Sequence, residues 1–488
     1  MSELPKGWVK TTGESMFRIV RGVTYNKTQA KSSPFEKSVT VLRAGNLQDG
    51  ELLFDDLVYV PENNASLDQR LTAGDMVIAM SSGSKSVVGK VASVREDYPK
   101  VSFGAFCGLI RPRTKDIAPW LRAFFQTREY RRLISEMSTG VNINNLKPSF
   151  LSELSLLLPP LPEQRRIVAK LEACEARIGA ARDALADVPK LLEQYRQSVL
   201  AAAFRGDLTR DWRAKHPDIK PAATLVQKLR AERRQRWEQS ELAKYKAKGK
   251  KTPQGWEEKY QEPQSISESA LAELPQLPSG WCWVTFDSIL SVSSGIQLKA
   301  NGMAPNGTIP VFGGNGITGH HDRSNVPPNT IVIGRVGYYC GSIHETPGAA
   351  WVTDNALIVS YSRNTIDQRF MFWLLKSSDL GNLSNSSAQP VVSGGKIYAA
   401  VVPIPPLLEQ RELARILDVI SAFTERMVTT HIETAADLTT LTQSLLAKAF
   451  RGELVPQDPA DEAAAGLLTR LQSHDDTVSK SKRRKIAK

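Results

Sequence analysis

One stretch of this chain occurs twice, and that repeat constrains the fold more than any other feature. The first copy runs from Pro159-Pro160-Leu161-Pro162-Glu163-Gln164-Arg165 to Ala203-Phe204-Arg205-Gly206-Asp207-Leu208. The second runs from Pro405-Pro406-Leu407-Leu408-Glu409-Gln410-Arg411 to Ala449-Phe450-Arg451-Gly452-Glu453-Leu454. The copies align without a gap over 50 residues at a shift of 246, with 18 identities. Six identities fall in the first seven positions and nine in the last twelve, leaving three for the 31 between. The ends thus keep residue identity and the middle keeps a pattern. A repeat of this kind sets the architecture before any local element does.

The pattern is a heptad. Copy one reads Ile167, Leu171, Cys174, Ile178, Ala181, Leu185, Val188, Leu192, Tyr195, Val199. Copy two reads Leu413, Leu417, Ile420, Thr424, Met427, His431, Thr434, Leu438, Leu441, Leu445. Steps of three and four over about four heptads predict a coiled-coil seam. Proline before each helix and Arg-Gly after it mark start and stop. Each helix should reach about 60 Å at 1.5 Å per residue. Copy two carries polar seam residues and pairs best with copy one, antiparallel. Pro189 removes a ladder hydrogen bond and predicts a bend in helix one rather than a break.

A second repeat brackets the first. Pro278-Ser279-Gly280-Trp281 echoes Pro5-Lys6-Gly7-Trp8 at a shift of 273, so the globular parts restart too. Ala464-Ala465-Gly466-Leu467-Leu468 faintly echoes Ala222-Ala223-Thr224-Leu225-Val226. The expected divisions are a first globule at 1–158, a helix at 159–208, and a basic helical segment and linker at 209–277. A second globule follows at 278–404, then a helix at 405–455 and a basic tail at 456–488. Short apolar runs such as Asp75–Met80, Phe106–Ile110, Thr330–Arg335 and Ala356–Ser360 read as strands. Trp120–Met137 and Arg369–Lys376 read as helices. The fold class is α+β: two globular α/β domains separated by two long helices in an antiparallel coiled coil, related by a pseudo-twofold repeat.

Charge is unevenly placed. The chain has net charge +12. Lys228 to Lys251 holds ten Lys/Arg against three acids, net +7, and Lys480 to Lys488 adds six. The remainder is therefore about −1. An anionic partner fits, as does a merely solvated linker and tail. Four scattered cysteines without CxxC spacing argue against a disulfide framework or zinc site, and for a reducing cytosol. The sequence has neither an apolar run long enough for a membrane span nor a signal-peptide pattern at its start.

A search for chemistry finds no catalytic set. Gly83 to Val91 superficially resembles a phosphate loop, but it has five residues between its glycines, Val91 in place of Ser or Thr, and no helix after it. Gly313-Gly314-Asn315-Gly316 lacks dinucleotide-fingerprint spacing. What remains are loops rich in side chains that read base edges and hold phosphates. In the first globule these offer Arg21, Tyr25, Lys27, Arg43, Asn46, Ser81, Ser82, Lys85, Ser86, Asn142, Asn144, Asn145 and Lys147. In the second they offer Gln297, Lys299, Asn315, His320, His321, Arg335, Tyr338, Tyr339, Ser393 and Lys396. No metal is expected.

Two variable globules, each followed by a Pro-Pro-Leu-x-Glu-Gln-Arg helix ending in Ala-Phe-Arg-Gly, resemble the specificity subunit of type I restriction–modification systems. The resemblance covers roughly 1–210 and 278–475. It implies a non-catalytic subunit whose two target-recognition domains each read one half of a split DNA site. It also implies cytoplasmic location, helices that space the domains and dock two modification subunits, and separate restriction subunits as further partners. Docking would fall on Glu163, Gln164, Arg165, Phe204, Arg205, Gly206, Glu409, Gln410, Arg411, Phe450, Arg451 and Gly452. The chain itself would hold no cofactor. S-adenosylmethionine for N6-adenine methylation, and ATP and Mg for translocation and cleavage, would belong to the partners. The segments Arg21–Tyr25, Ile78–Lys90 and Ser102–Gly108 resemble enterobacterial domains that read AAC. The alternatives are a coiled-coil adaptor that binds only protein, a DNA-binding regulator outside restriction, or a fused methyltransferase–nuclease. The last leaves too few residues for a catalytic domain.

Overall fold

The computed structural model describes residues 4–137, 145–263, 265–304, 306–383 and 391–473. The chain divides into two compact units, Met1–Ala186 with His431–Lys488, and Asp187–Thr430. Each unit holds one globule with the start of one long helix and the end of the other, the arrangement that antiparallel helices give.

The two globules share one strand order. In the first, the sheet runs Phe17–Arg21, Cys107–Pro112, Met76–Ala79, Val91–Ser93, all antiparallel. In the second, the order is Leu290–Ser294, Ala356–Tyr361, Ile331–Gly334, Ile343–Glu345, again antiparallel. Beside it each has a three-stranded sheet. One is Val58–Pro61, Ser38–Leu42, Val101–Phe103; the other is Gly316–His321, Ile309–Gly313, Trp351–Val352. Each contains one parallel pair, Ser38–Leu42 with Val101–Phe103 and Ile309–Gly313 with Trp351–Val352. A two-stranded ribbon ties the globule's start to the strand before its long helix: Val9–Thr12 with Ser155–Leu158, and Cys282–Thr285 with Val401–Ile404. The 273-residue shift between Phe17 and Leu290 falls to 249 between Cys107 and Ala356 and to 246 between Ser155 and Val401, so most of the shortening of the second globule lies in the sheets' loops.

Several expected elements change. Trp120–Met137 is two helices, Ala118–Phe125 and Arg128–Met137. Thr127 makes the break. Its hydroxyl donates to the Phe124 carbonyl at 2.7 Å and accepts the Tyr130 N–H at 3.1 Å, ending one helix and capping the next. The second globule's helix, Gln368–Ser377, is single, and the Asp367 carboxylate accepts the N–H of Arg369 and Phe370 at its start. Helix one is likewise two helices, Leu161–Ala186 and Val188–Phe204. Pro189 cannot donate, and Asp187 falls between them with φ −84° and ψ −13°, still right-handed. Helix two, Leu407–Phe450, is continuous.

Most seam positions are turned inward: Tyr195 alone is exposed in copy one and Leu441 alone in copy two, where Leu446 and Ala449 are buried instead. Polar Thr424 is fully buried. Its hydroxyl donates to the Ser421 carbonyl at 2.9 Å and accepts from Arg196 Nε at 3.4 Å.

The segments expected as linker and tail both contribute to the fold. In the second unit the helix Ala222–Ala247 buries Ala222, Val226 and Leu229 in the core, and the Ala222 N–H donates to the Gly280 carbonyl at 2.8 Å. In the first unit residues 464–473 are helical, and Ala464, Leu467 and Leu471 join that core. There the Ala464 N–H donates to the Gly7 carbonyl at 2.9 Å. The basic run Lys480–Lys488 lies outside the described residues.

Candidate nucleic-acid interface

In the first unit, a cleft of about 940 Å³ opens among loops at one end of the two sheets. It brings together Tyr25, Lys27, Arg43, Asn46, Ser81 and Ser82 from three separate segments. Arg21, Lys85, Ser86, Asn145 and Lys147 lie outside its lining. Asn145 is nonetheless adjacent, through a bridge to Ser81. Asn142 and Asn144 lie outside the described residues.

Two of the lining side chains have different work. Arg43 is half in solvent, and one of its terminal nitrogens donates to the Asp56 carbonyl at 2.6 Å and to its carboxylate at 2.5 Å. Arg43 also lines the cleft. Asn46 is 5% exposed, and its amide is spent on the fold. Its Oδ1 accepts the Arg43 N–H at 2.8 Å and its Nδ2 donates to the Asp55 carbonyl at 2.6 Å. Asn46 therefore braces the loop that presents Arg43. The phosphate-loop look-alike ends in the strand Val91–Ser93, not a helix. Arg131 pins it by donating to the Ser86 and Val88 carbonyls.

Sequence reading missed Gln48, Asp55, Asp56 and Phe106 on this cleft. Phe106 is a largely exposed aromatic on the turn between Val101–Phe103 and Cys107–Pro112. An exposed phenylalanine in a turn carries no sequence signal distinct from a core one.

In the second unit, the corresponding end gathers four loops. The Arg335 N–H donates to the Asn355 carbonyl at 3.0 Å, and the Val392 N–H to the Arg335 carbonyl at 3.0 Å. A Cβ on Gly314 would lie 2.8 Å from the Val336 carbonyl. Asn315, Arg335, Tyr338, Tyr339 and Ser393 thus share one neighbourhood, with Lys396 one helical turn beyond. His320 and His321 do not join it by this hairpin. They pair with Pro310 and Ile309, at the end of the hairpin away from Asn315. His321 packs edge-on against Trp351 at 5.1 Å, whose indole donates to the Ile296 carbonyl, next to Gln297 and Lys299. The His344 side chain is half-buried beneath Gly316, and burial holds its pKa below the usual histidine value.

The residues expected to dock partners largely serve the fold. Glu163, Gln164, Glu409 and Gln410 are buried. Gln164 Nε2 donates to the Pro159 carbonyl at 2.8 Å, and Gln410 Nε2 to Pro405 at 3.0 Å. Glu163 accepts the Trp8 indole N–H at 3.0 Å; Glu409 instead accepts from Thr209 at 2.7 Å and from Arg213. Burial holds the Glu163 carboxyl above the ordinary carboxylate range, against the pull of the Trp8 bond and Arg166. Phe450 packs on Trp120 at 4.2 Å, and Phe204 on Phe370 at 6.0 Å. Gly206 and Gly452 sit under Pro278 and Pro5. Arg165, Arg205, Arg411 and Arg451 are exposed.

Among the described residues, no group of three or more His, Cys, Asp or Glu could hold a metal ion, and no helix is long and apolar enough to cross a membrane. The four cysteines are unbridged.

Comparison with known proteins bears on this geometry. The family model described as the type I restriction modification DNA specificity domain matches residues 5–186 and 278–434. The type I restriction enzyme EcoKI specificity subunit of Escherichia coli K12 is 29% identical, over 96% of this chain and 96% of its own. The StySPI specificity subunit of Salmonella potsdam is 30% identical, also over 96% of each. The HsdS subunit crystal structure from Thermoanaerobacter tengcongensis superposes with TM-score 0.56 at 18% identity, covering 93% of this chain and 99% of that one. A solved chain from a type I R-M system superposes with TM-score 0.64, also at 18% identity, covering 93% of this chain and 100% of that one. The matched family model, covering both globules and most of both long helices, shows that the chain belongs to the type I restriction–modification specificity subunits, the non-catalytic members that recognise DNA sequence for the complex.

Proposed function

We propose that this subunit reads a bipartite, asymmetric duplex site, one half per globule, and directs partner subunits to methylate adenine at N6 or to cleave. The observation that carries this is the pair of equivalent loop ends. The two globules share a strand order, yet one end displays Tyr25, Lys27 and Arg43 and the other Asn315, Arg335 and Tyr338. A common scaffold with unlike reading side chains fits two unlike half-sites. The first globule reads AAC, on the resemblance of its loops; the second reads a half-site of its own.

The recognition domains span 1–158 and 278–404, and the helices 159–208 and 405–455 space them and carry two modification subunits. Within segment 209–277 the helix Ala222–Ala247 completes the core of the second unit, and residues 464–473 complete that of the first. S-adenosylmethionine sits on the modification subunits, ATP and Mg on the restriction subunits, and the complex works in the cytoplasm. Among the expected docking residues, the exposed Arg165, Arg205, Arg411 and Arg451 remain available to partners.

Long-read mapping of N6-methyladenine in a host carrying the system tests this. A split motif is expected, and exchanging 278–404 for another such domain should change one half alone. A change in both halves, or a continuous motif, would refute the reading.

A further inference from the structure

Loop 335–341 of the second globule is tied at its base and along its length. The Gly334 N–H donates to the Ser342 carbonyl and the Gly341 N–H to the Gly334 carbonyl, both at 2.8 Å. Within it the Cys340 N–H donates to the Gly337 carbonyl, and the Ser342 N–H to the Tyr339 carbonyl, both at 3.0 Å. On this frame Tyr338 is 90% exposed. Tyr339, 51% exposed, meets it edge to face, with centroids 5.1 Å apart at 86°. The bridge from Val336 to Val391 adds a third exposed apolar side chain beside them.

The shared fold does not require that ring. The loop in the same place in the first globule, after Met76–Ala79, reads Ser81-Ser82-Gly83-Ser84-Lys85-Ser86, without an aromatic. An aromatic held in water on a fixed loop gains nothing for folding. It is pre-organised to lose little entropy on meeting a flat partner, since a tyrosine has only two side-chain torsions. Arg335 on the same loop and Lys396 nearby supply positive charge around it, which suits a π-faced partner on an anionic backbone. Exposed side chains that enter base steps unstack and kink the duplex.

We infer that Tyr338 is a stacking residue, with Tyr339 as its brace: its ring enters a base step of the second half-site and holds the DNA unstacked there. This rests on the DNA-reading role proposed above.

The test uses the full chain assembled with its modification subunits, and a duplex of the mapped site with 2-aminopurine placed at each second-half position in turn. Fluorescence should rise at one step in the wild type. Tyr338→Ala should abolish that rise and bind about tenfold more weakly, in keeping with loss of one base–aromatic stack. Tyr338→Phe should retain both, and both variants should assemble and melt as wild type does. A signal that persists in Tyr338→Ala belongs to a base flipped by the partner and overturns the inference. Binding within twofold of wild type for Tyr338→Ala, equal weakness in Tyr338→Phe, or failed assembly of Tyr338→Ala would overturn it too. Those last outcomes would point in turn to an idle ring, a hydroxyl contact and a protein-docking surface. If the wild-type complex does not distinguish the mapped duplex from random duplex, the DNA-reading role itself falls, and this inference with it.

Discussion

Pro278 lies so close to Gly206 that a Cβ on the glycine would meet the proline Cγ at 2.5 Å. Pro5 and Gly452 repeat the relationship in the other unit at 2.7 Å, and both glycines have positive φ, +79° and +70°. The Arg-Gly that ends each long helix therefore seats the start of a globule, but not the globule that precedes it in sequence. Copy one's glycine seats the second globule and copy two's seats the first. This accounts for identities clustered at the motif ends, where backbone and ring leave no room for a side chain.

Gly206→Ala should therefore destabilise the second unit. A left-handed alanine costs roughly 1–2 kcal/mol and overpacking about 1–3 kcal/mol. Amide hydrogen exchange should show lost protection within 187–430 and native protection in 4–137, with Gly452→Ala giving the reverse. Equal loosening of both units by either variant would contradict the seating.

Glu163 predicts a pH effect of defined sign. Its folded pKa is raised from 4.5, so the native state binds the proton more tightly than the unfolded chain does. Its stabilising contribution is present below that value and is lost as pH rises through the folded pKa. Glu163→Gln keeps an oxygen for the Trp8 indole but cannot titrate. The variant should gain stability relative to wild type as pH rises above 4.5, read as the difference of the two melting temperatures. A constant difference would show that Glu163 does not titrate in this range.

Arg43 and Asn46 should separate reading from bracing. The Arg43–Asp56 pair is solvent-exposed, and such pairs contribute roughly 0–1 kcal/mol. Arg43→Ala should leave melting nearly unchanged and cost about 1–3 kcal/mol in DNA binding, relaxing one position of the first half-site. Asn46→Ala should cost about 1–3 kcal/mol in stability, because it removes two part-buried hydrogen bonds, to the Arg43 N–H and the Asp55 carbonyl, at roughly 0.5–1.5 kcal/mol each. Calorimetry and a binding series on single-substituted duplexes would show whether the two effects divide this way.

The helices as spacer make a fourth prediction. An insertion after Leu200 would disturb the second globule's core, against which Leu200 packs. Four helix-forming residues after Asp183, in an exposed run, should instead add about 6 Å and rotate the chain by some 400°. At about 3.4 Å per base pair, the methylated motif should keep both halves and widen by one or two pairs. An active complex with an unchanged gap would show that the helices do not set the distance.

The sequence by itself determined the repeat, the two globules, the two helices and the class of side chain at each loop. Those depend on periodicity and on motif spacing, which act along the chain: a heptad marks its seam wherever the partner lies, and Gly-Trp marks a restart. Local competition was harder to read. Thr127 ends a helix that its apolar periodicity would continue, because one hydroxyl both accepts and donates. Only the tertiary structure decided which polar residues are spent. Asn46, Gln164 and Gln410 have the side chains of readers and dockers, yet their hydrogen bonds are used inside the fold. It also decided that Ala222 and Ala464, in a presumed linker and tail, donate to the carbonyls of Gly280 and Gly7. Burial and hydrogen-bond partnership join residues far apart in sequence, so no pattern along the chain can assign them.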